Sequence, residues 1–292
     1  MRLCIVQRKQ AETRSVCKDS TTNFLMDFLR LSNNRFLIFG VANKKSVAYR
    51  IAQMLLDEGA TIDLVVRDEN VAEKVRTLFP DQYVDFCNVE SDGEIRRLGE
   101  RLRERLGTER YAGLVHSIAF ADYGEGMKPF HETPKAAFLQ AWDISCFSLV
   151  AICRELEPLL ERNASVVTIS ISTTRMASEN YGFMAPIKAA LDSSLAFLTK
   201  SFSAFSEIRF NAVAPSLLKT SASAGIPGYA DSYLYAEKVI PRKRAVETDE
   251  AAAVAVFLLS PRSSGVCAQK IVVDAAMEIN FFDKEIVGKA TR

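Results

Sequence analysis

The sequence predicts an α/β fold of the Rossmann type: a doubly wound parallel sheet of seven strands with helices on both faces. Short apolar runs alternate with amphipathic helical stretches along nearly the whole chain, and this alternation is typical of parallel sheets with helical crossovers. The first run, 35–39, is apolar after Arg35, as expected for a strand covered on both faces. No stretch rich in Gly, Pro or Ser divides the chain. We therefore predict one nucleotide-binding domain over 26–292, with a ligand crevice at the carboxyl ends of its strands.

Six further strands are predicted from short runs rich in apolar and β-branched residues. They lie at 61–66, 84–88, 113–118, 165–170, 208–213 and 270–274. The first helix is placed by its ends, because Ser46 can cap it and Gly59 can close it. Further helices are predicted where apolar residues recur at helical spacing, at 70–79, 92–106, 134–160, 181–205 and 248–259.

The composition argues against functions that depend on net charge or on a membrane. The chain has 292 residues, 48% of them hydrophobic, and its 37 basic residues nearly balance 36 acidic ones. A net charge of +1 provides no global field for nucleic acid or for an anionic membrane. No uninterrupted apolar run reaches the roughly 18 residues that span a bilayer. The six cysteines and two histidines lack metal-binding spacing, so we expect a cytoplasmic protein with reduced thiols and no metal site.

The first 25 residues are polar, mixed in charge and without a sustained period. We expect a flexible extension that adds nothing to the core. An over-long gene start would explain it equally, because Met26 opens the segment that leads into the first strand. A targeting peptide is a further alternative, against which Glu12 and Asp19 argue.

A glycine turn joins the first strand to the first helix. Gly40 ends the strand, and the helix begins after Ser46. Backbone N–H groups at such a helix start suit a pyrophosphate. The segment lacks a full G-x-G-x-x-G pattern, so taken alone it fits a plain strand–turn–helix equally well.

A tyrosine–lysine pair, Tyr181 and Lys188, carries the strongest chemical signal. Seven residues on one helix would place both side chains on the same face. A tyrosine with a pKa of about 10 can donate a proton or hydrogen bond to a carbonyl oxygen that gains negative charge, and a nearby ammonium favours that charge. The pair alone is more often part of an ordinary amphipathic helix, so its meaning depends on the rest of the chain.

The chain resembles the short-chain dehydrogenase/reductases and, within them, the bacterial enoyl-acyl-carrier-protein reductases. The resemblance runs from about Met26 to about Phe282, and its most discriminating motif is Tyr181-x6-Lys188. Ordinary short-chain dehydrogenases place the lysine four residues after the tyrosine, where this chain has Ala185. The other motifs are Gly40-Val-Ala-Asn-Lys-Lys-Ser46-Val-Ala48, His116-Ser-Ile118, Asp143-Ile-Ser145 and Asn211-Ala-Val213.

This resemblance implies hydride transfer from NADH or NADPH to the 2,3 double bond of a 2-enoyl thioester carried by acyl carrier protein or coenzyme A. Tyr181 would hydrogen-bond the thioester oxygen, and Lys188 would hold the nicotinamide ribose. The resemblance also implies a lid over about 217–240 and a homotetramer built on the helices at 134–160 and 182–205. The implied cofactor contacts are Gly40, Ser46, Val47, Arg67, Asn88, Val89, Ser117, Ile118, Lys188 and Leu217. The implied substrate contacts are Ala119, Ile171, Tyr181, Met184, Ile226 and Tyr229.

Several positions depart from the family pattern. A second tyrosine, ten residues before the first, is Ile171 here, and a glycine after the His-Ser-Ile segment is Ala119. The usual acidic residue at the adenine is Asn88. After the sixth strand the family's Gly-Pro gives way to Pro215-Ser216-Leu217, and the usual Asp-Gly-Gly of the last turn reads Asp274-Ala275-Ala276. These changes predict a divergent member with an altered pocket and final turn.

The coenzyme is predicted from the end of the second strand, where an acidic residue favours a free 2′-hydroxyl and a basic one a 2′-phosphate. Arg67 followed by Asp68 argues both ways. The family's common usage favours NADH, with NADPH as the alternative.

Two other functions compete with enoyl reduction. A carbonyl or alcohol oxidoreductase of the wider superfamily normally needs a serine where this chain has Thr168, so Ser170 or Ser172 would have to substitute. A nucleotide-binding homologue without catalysis is the third possibility, favoured by Ile171 and Ala119 and opposed by retention of Tyr181 and Lys188.

Overall fold

The computed structural model describes residues 27–124, 126, 128–177, 182–220, 223, 226, 228–280 and 282–291. The predicted extension 1–25 and Tyr181 lie outside these residues. Seven strands form one parallel sheet in the order β3-β2-β1-β4-β5-β6-β7. This is the predicted Rossmann-type fold. The strands are β1 (Arg35–Phe39), β2 (Thr61–Val66), β3 (Tyr83–Phe86), β4 (Tyr111–His116), β5 (Leu160–Ile169), β6 (Arg209–Pro215) and β7 (Lys270–Val273).

Helices connect the strands and cover both faces of the sheet. Ser46, Asp68 and Ser91 cap the first three helices, each accepting a backbone N–H with its side chain. The helices are α1 (Val47–Asp57), α2 (Glu69–Leu78), α3 (Asp92–Leu106), α4 (Lys135–Trp142), α5 (Ser148–Leu156), α6 (Met184–Phe202), α7 (Tyr229–Val239), α8 (Thr248–Leu259) and α9 (Lys284–Ala290).

The strand order reverses at β1, which pairs with β2 on one side and β4 on the other. Ile38 lies opposite Leu64 of β2 and Val115 of β4. Connections on the two sides of such a switch point leave the sheet in opposite directions, so a crevice opens at the carboxyl ends of the strands. The polar residues singled out from the sequence follow these ends.

Alternate residues of β1 enter two separate cores. Leu37 and Phe39 pack in the core that also holds the buried faces of α3, α5 and α6. Phe36 and Ile38 pack in the core with α1, α2 and α8. Both faces of the strand are therefore apolar, as a parallel strand between two helical layers requires.

The single helix predicted over 134–160 is in fact interrupted. A π-helical segment, Asp143–Phe147, separates α4 from α5. Within it, the Ser145 hydroxyl accepts from the Phe120 N–H at 2.9 Å and donates to the Phe120 carbonyl at 3.0 Å. The bulge thus holds the loop after β4, and π-bulges recur at functional sites.

The stretch Lys135–Leu159 is long and apolar enough to cross a membrane by length and composition, but half of its most apolar window is buried inside the protein. Leu149, Ile152 and Leu156 pack in the core beneath the sheet. The stretch, which comprises α4, the π-helical segment and α5, therefore packs one of its faces against the core of the α/β fold.

The prediction that a helix begins at Tyr181 is wrong. The helix begins at Met184, and Gly182 just before it has a φ of 60°, in the left-handed region that favours glycine. A Cβ on Gly182 would lie 2.6 Å from Cε1 of Tyr123. The two-turn spacing argument for Tyr181 and Lys188 therefore does not apply to the segment before Met184.

Candidate active site

A cavity of about 730 Å³ occupies the crevice at the carboxyl ends of the strands. Its size suits a small-molecule or cofactor site. All ten residues predicted to contact cofactor line it, although they come from seven separate stretches of chain: Gly40, Ser46, Val47, Arg67, Asn88, Val89, Ser117, Ile118, Lys188 and Leu217. Five of the six predicted substrate contacts also line it, and the sixth, Tyr181, lies outside the described residues: Ala119, Ile171, Met184, Ile226 and Tyr229.

The glycine turn forms the floor of this cavity. Gly40 has a φ of 95°, and a Cβ there would lie 2.0 Å from the carbonyl oxygen of Ser117. Glycine is therefore required both by the backbone conformation and by the approach of the loop after β4. Ser46 donates to the Asn43 carbonyl at 2.8 Å and accepts from the Tyr49 N–H at 3.3 Å. The amino terminus of α1 is thereby fixed at the cavity wall, where free N–H groups favour an anion.

Lys188 is buried beside the ends of β4 and β5. Its ammonium donates to the carbonyl oxygens of Ile169 at 2.8 Å and Ile118 at 3.2 Å. Burial lowers the pKa of Lys188 to about 8, while the nearby Asp192 carboxylate acts in the opposite direction. An ammonium has three N–H donors; the described residues accept two of them, which leaves one for a ligand in the cavity.

Asp192, one turn after Lys188 in α6, contacts the residue that follows β5 and the first residue of β7. Its carboxylate accepts from the Ser170 hydroxyl at 2.5 Å and pairs with the Lys270 ammonium at 3.1 Å. Lys270 also donates to the Thr174 hydroxyl at 2.6 Å. The Ser170 hydroxyl is consequently engaged with a carboxylate.

His116 is a fully buried structural residue at the end of β4. Its ring nitrogens lie 2.9 Å from the hydroxyl oxygens of Thr168 and Ser148. Burial, with a smaller effect from Lys188, lowers the pKa of His116 to about 3. The ring is neutral at physiological pH, so its part in the His-Ser-Ile motif is to join β4 to β5 and α5.

The end of the cavity at β2 and β3 carries mixed charge. The Arg67 side chain lines the cavity and is largely exposed, and it pairs with Asp68 at 2.7 Å. Asp68 also caps α2 by accepting from the Val71 N–H at 2.9 Å. The acidic group that sequence reasoning missed at this end is Glu90, which lines the cavity two residues after Asn88.

Two further residues of the wall were not predicted as site residues. Tyr123 packs its ring 5.3 Å from that of Phe183 and closes on Gly182, and burial raises its pKa. Ser216 lines the cavity after β6, and its buried hydroxyl has no hydrogen-bond partner among the described residues. Only the fold brings Tyr123 to the crevice, so no local sequence signal could identify it. Ser216 had a signal, because it lies in the segment Pro215-Ser216-Leu217 that departs from the family pattern.

The cavity fits a dinucleotide on two observations. The amino terminus of α1 lines the cavity at Ser46 and Val47, and backbone N–H groups at such a helix start suit a pyrophosphate. Ser216 lines the cavity, and its buried hydroxyl, which has no partner among the described residues, is a polar group that a ligand could satisfy after a change of rotamer.

The turn after β7 contains the two alanines that replace the glycines of the family pattern. Ala275 and Ala276 have φ values of 52° and 67°, so both alanines adopt the left-handed conformation expected of glycines. The Asp274 carboxylate holds this turn by accepting from the N–H groups of Ala276 at 2.9 Å and Glu278 at 2.7 Å.

Comparisons with known proteins agree with this geometry. The family model described as Enoyl-(Acyl carrier protein) reductase matches residues 40–278. A Nostoc protein named as an NADH enoyl-acyl-carrier-protein reductase is 33% identical over 86% of this chain and 98% of its own length. A Staphylococcus aureus protein named as the NADPH form is 31% identical over 85% of this chain and 97% of its own.

Two solved structures show the same fold. The Aquifex aeolicus NADH enoyl-acyl-carrier-protein reductase superposes with a TM-score of 0.81 and 32% identity, covering 87% of this chain and 99% of its own. The Anaplasma phagocytophilum reductase, solved with NAD, superposes with a TM-score of 0.80 and 26% identity over 87% of this chain and 97% of its own.

Proposed function

The chain belongs to the enoyl-acyl-carrier-protein reductase family of the short-chain dehydrogenase/reductase superfamily, and we propose that it reduces the 2,3 double bond of a 2-enoyl thioester in fatty acid synthesis. The observation that carries this proposal is the buried ammonium of Lys188, anchored at a strand-end cavity with one donor left for a ligand. NADH is the proposed coenzyme, with NADPH as the alternative that Arg67 supports.

The cofactor lies along the crevice in this proposal. Gly40, Ser46 and Val47 would line the diphosphate. The N–H groups of Gly40 and Ser46 already donate to the carbonyls of Val65 and Asn43, so Val47, at the amino terminus of α1, would offer its backbone N–H to the anion. Ser117 and Ile118 line the adenosine side. Arg67, Asn88, Val89 and Leu217 complete the set of proposed contacts.

A nicotinamide coenzyme held in the cavity would supply a hydride to the β carbon, which would leave negative charge on the thioester oxygen until a proton adds at the α carbon. Tyr181 donates a hydrogen bond to that oxygen. Lys188 holds the nicotinamide ribose and places positive charge nearby. Both groups act on charge that exists mainly in the transition state, where such stabilisation accelerates the reaction.

The acyl chain packs against the apolar wall formed by Ala119, Ile171, Met184, Ile226 and Tyr229. The Tyr229 hydroxyl donates to the Leu218 carbonyl at 2.9 Å. Tyr229 therefore contributes its ring to this wall, while its hydroxyl links the start of α7 to the segment that follows β6. Met184 is itself buried, which is equally compatible with a core role.

The segment 217–240 is proposed to act as a lid. Ser223 donates to the Leu218 carbonyl at 2.8 Å, and Lys219 lies over the Tyr233 ring at 4.3 Å. These contacts are local to the segment, as expected for an element that moves as a unit. Limited proteolysis should cut it in the free protein and spare it with cofactor plus acyl ligand. Equal cleavage in both would argue against a lid.

Carbonyl reduction is less well supported. The Thr168 hydroxyl lies against His116, and the Ser170 hydroxyl donates to Asp192. Ser172 is buried and is not among the described residues that line the cavity. The hydroxyl that a carbonyl-reducing enzyme needs is thus engaged elsewhere at the first two candidate positions and away from the cavity wall at the third.

We propose a cytoplasmic homotetramer. Large apolar side chains stand exposed on the two helices implicated by the sequence, with Leu139 51% exposed and Trp142 37% exposed on α4, and Phe197 75% exposed on α6. Such clusters mark association surfaces. Cys87, Cys146, Cys153 and Cys267 are free thiols, in keeping with a reducing compartment. Light scattering after size exclusion should give four times the chain mass.

The deciding experiment measures coenzyme oxidation by purified protein with a 2-enoyl thioester or a 3-ketoacyl thioester, each with NADH and NADPH. We expect turnover of the enoyl substrate alone. Turnover of the ketoacyl substrate alone would move the protein to the carbonyl-reducing branch. Tyr181→Phe should remove most of the turnover while coenzyme binding persists, and unchanged turnover would overturn the assignment of Tyr181.

A further inference from the structure

Ser216 is an unusual residue for the wall of this cavity. It is 7% exposed, and its hydroxyl has no hydrogen-bond partner within the described part of the chain. Burying a hydroxyl without a partner costs free energy comparable to a lost hydrogen bond. Other hydroxyls at this end of the cavity are engaged, Ser170 with Asp192 and Ser223 with Leu218. Ser216 therefore carries an uncompensated cost in the free protein.

The position of Ser216 identifies which part of a dinucleotide lies nearest to it. The strand order runs from β3 and β2, whose ends carry Asn88 and Arg67, through β1 with its Gly40 turn to β5 and β6. A pyrophosphate at the amino terminus of α1 and an adenosine toward β2 and β3 leave the nicotinamide half toward β5 and β6. Ser216 directly follows β6.

The backbone around Ser216 is fixed on both sides. Its own N–H donates to the Val273 carbonyl at 3.1 Å, and the preceding Pro215 carbonyl accepts from the Ser172 N–H at 2.9 Å. The hydroxyl oxygen is closed off from solvent in the rotamer that the structure shows, so contact with a ligand requires a rotation about χ1. A serine side chain has three staggered rotamers, and this rotation needs no change in the backbone. A hydroxyl both donates and accepts, which matches a carboxamide, since that group offers an N–H donor and an oxygen acceptor.

We propose that the Ser216 hydroxyl hydrogen-bonds the carboxamide of the nicotinamide ring and thereby orients the ring for hydride transfer. The inference rests on the proposed function, because it requires a nicotinamide dinucleotide in the cavity. It adds a side-chain contact with the nicotinamide ring itself to the contacts proposed above, among which Lys188 reaches the nicotinamide ribose.

The chain contains its own matched control. Ser172 is also buried, and its hydroxyl likewise lacks a partner among the described residues, but it is not among those that line the cavity. Removing either hydroxyl relieves the same kind of burial cost. Only Ser216→Ala should also affect the coenzyme.

The test measures dissociation constants of wild type, Ser216→Ala and Ser172→Ala for NADH and for ADP-ribose, which lacks the nicotinamide ring. NADPH and 2′-phospho-ADP-ribose serve if the wild type prefers NADPH. We expect Ser216→Ala to weaken reduced-coenzyme binding about five- to tenfold, the effect of one lost hydrogen bond, and to leave ADP-ribose binding unchanged. Ser172→Ala should change neither. Both variants should raise the melting temperature of the free protein by about 2 °C.

Three results separate the inference from the proposed function. Unchanged coenzyme binding by Ser216→Ala, with normal binding by wild type, would overturn the inference alone. Equal losses for NADH and ADP-ribose would also overturn it, since the effect would then not involve the carboxamide. Wild-type protein that binds no reduced nicotinamide coenzyme would overturn the proposed function and the inference with it.

Discussion

The Lys188 ammonium nitrogen lies 2.8 Å from the carbonyl oxygen of Ile169, the last residue of β5. This contact places a buried cation beside the carboxyl ends of β4 and β5, where burial disfavours its charged form. The protonation of Lys188 is therefore sensitive to its surroundings, and this sensitivity provides a test of its role.

We expect kcat/KM for the enoyl thioester to fall as the pH rises through about 8, because burial lowers the pKa of Lys188 to that value and only the ammonium stabilises developing negative charge. Asp192→Asn should move this limb to lower pH, since the Asp192 carboxylate raises the pKa of Lys188. Lys188→Arg keeps a cation at high pH and should remove the limb. A flat profile to pH 9 in the wild type would contradict this assignment.

Gly40→Ala should abolish stable folding or cost more than about 3 kcal/mol, because its Cβ would lie 2.0 Å from a backbone oxygen that cannot move freely. Gly107→Ala is the matched control. Gly107 also has a positive φ, 57°, but a Cβ there meets nothing within 4 Å. Gly107 has a ψ of −108°, a sparsely populated backbone conformation, so that variant should lose about 2 kcal/mol in urea unfolding from conformation alone. Similar losses in both variants would show that conformation, and not the contact with Ser117, determines the requirement for glycine at 40.

Ala275→Gly and Ala276→Gly should each raise the free energy of unfolding by up to about 1 kcal/mol. Both alanines have positive φ, and the strain of a Cβ in that conformation exceeds the entropy that glycine adds to the unfolded chain. Ala253→Gly, at an exposed position in α8, should have the opposite sign and lose about 1 kcal/mol. A loss in all three variants on chemical denaturation would contradict the strain argument.

Acid should destabilise the protein through His116. The unfolded chain takes up a proton on this ring below about pH 6.5, whereas the native protein does so only near pH 3. Protons therefore favour the unfolded state in this window, and stability falls as the pH falls, by on the order of 4 kcal/mol from this group.

His116→Gln should flatten this part of the stability profile, measured by denaturant unfolding at a series of pH values, although it lowers stability at pH 7. His131→Gln, at a largely exposed position, is the control for the replacement of a histidine by glutamine. An unaltered slope in His116→Gln would show that other groups cause the acid response.

The sequence alone determined the elements whose signals are local. The strands at 35–39 and 61–66 and the helices at 92–106 and 248–259 were predicted with the bounds that the structure shows. Buried parallel strands are short apolar runs, and helix ends carry their own capping residues, so both are written in neighbouring positions. The family motifs likewise determined which residues meet at the crevice.

The tertiary structure decided the features that depend on contacts between distant residues. Helix α6 begins at Met184 because Gly182 turns against Tyr123, which comes from the loop after β4. The π-helical segment reflects the contacts of Ser145 with that same loop. Packing between strands and helices engages Ser170 with Asp192, 22 residues away. The same packing leaves the Ser216 hydroxyl without a partner in the part of the chain that the structure describes. Periodicity and capping do not encode such contacts, because they describe only how a segment relates to its own neighbours.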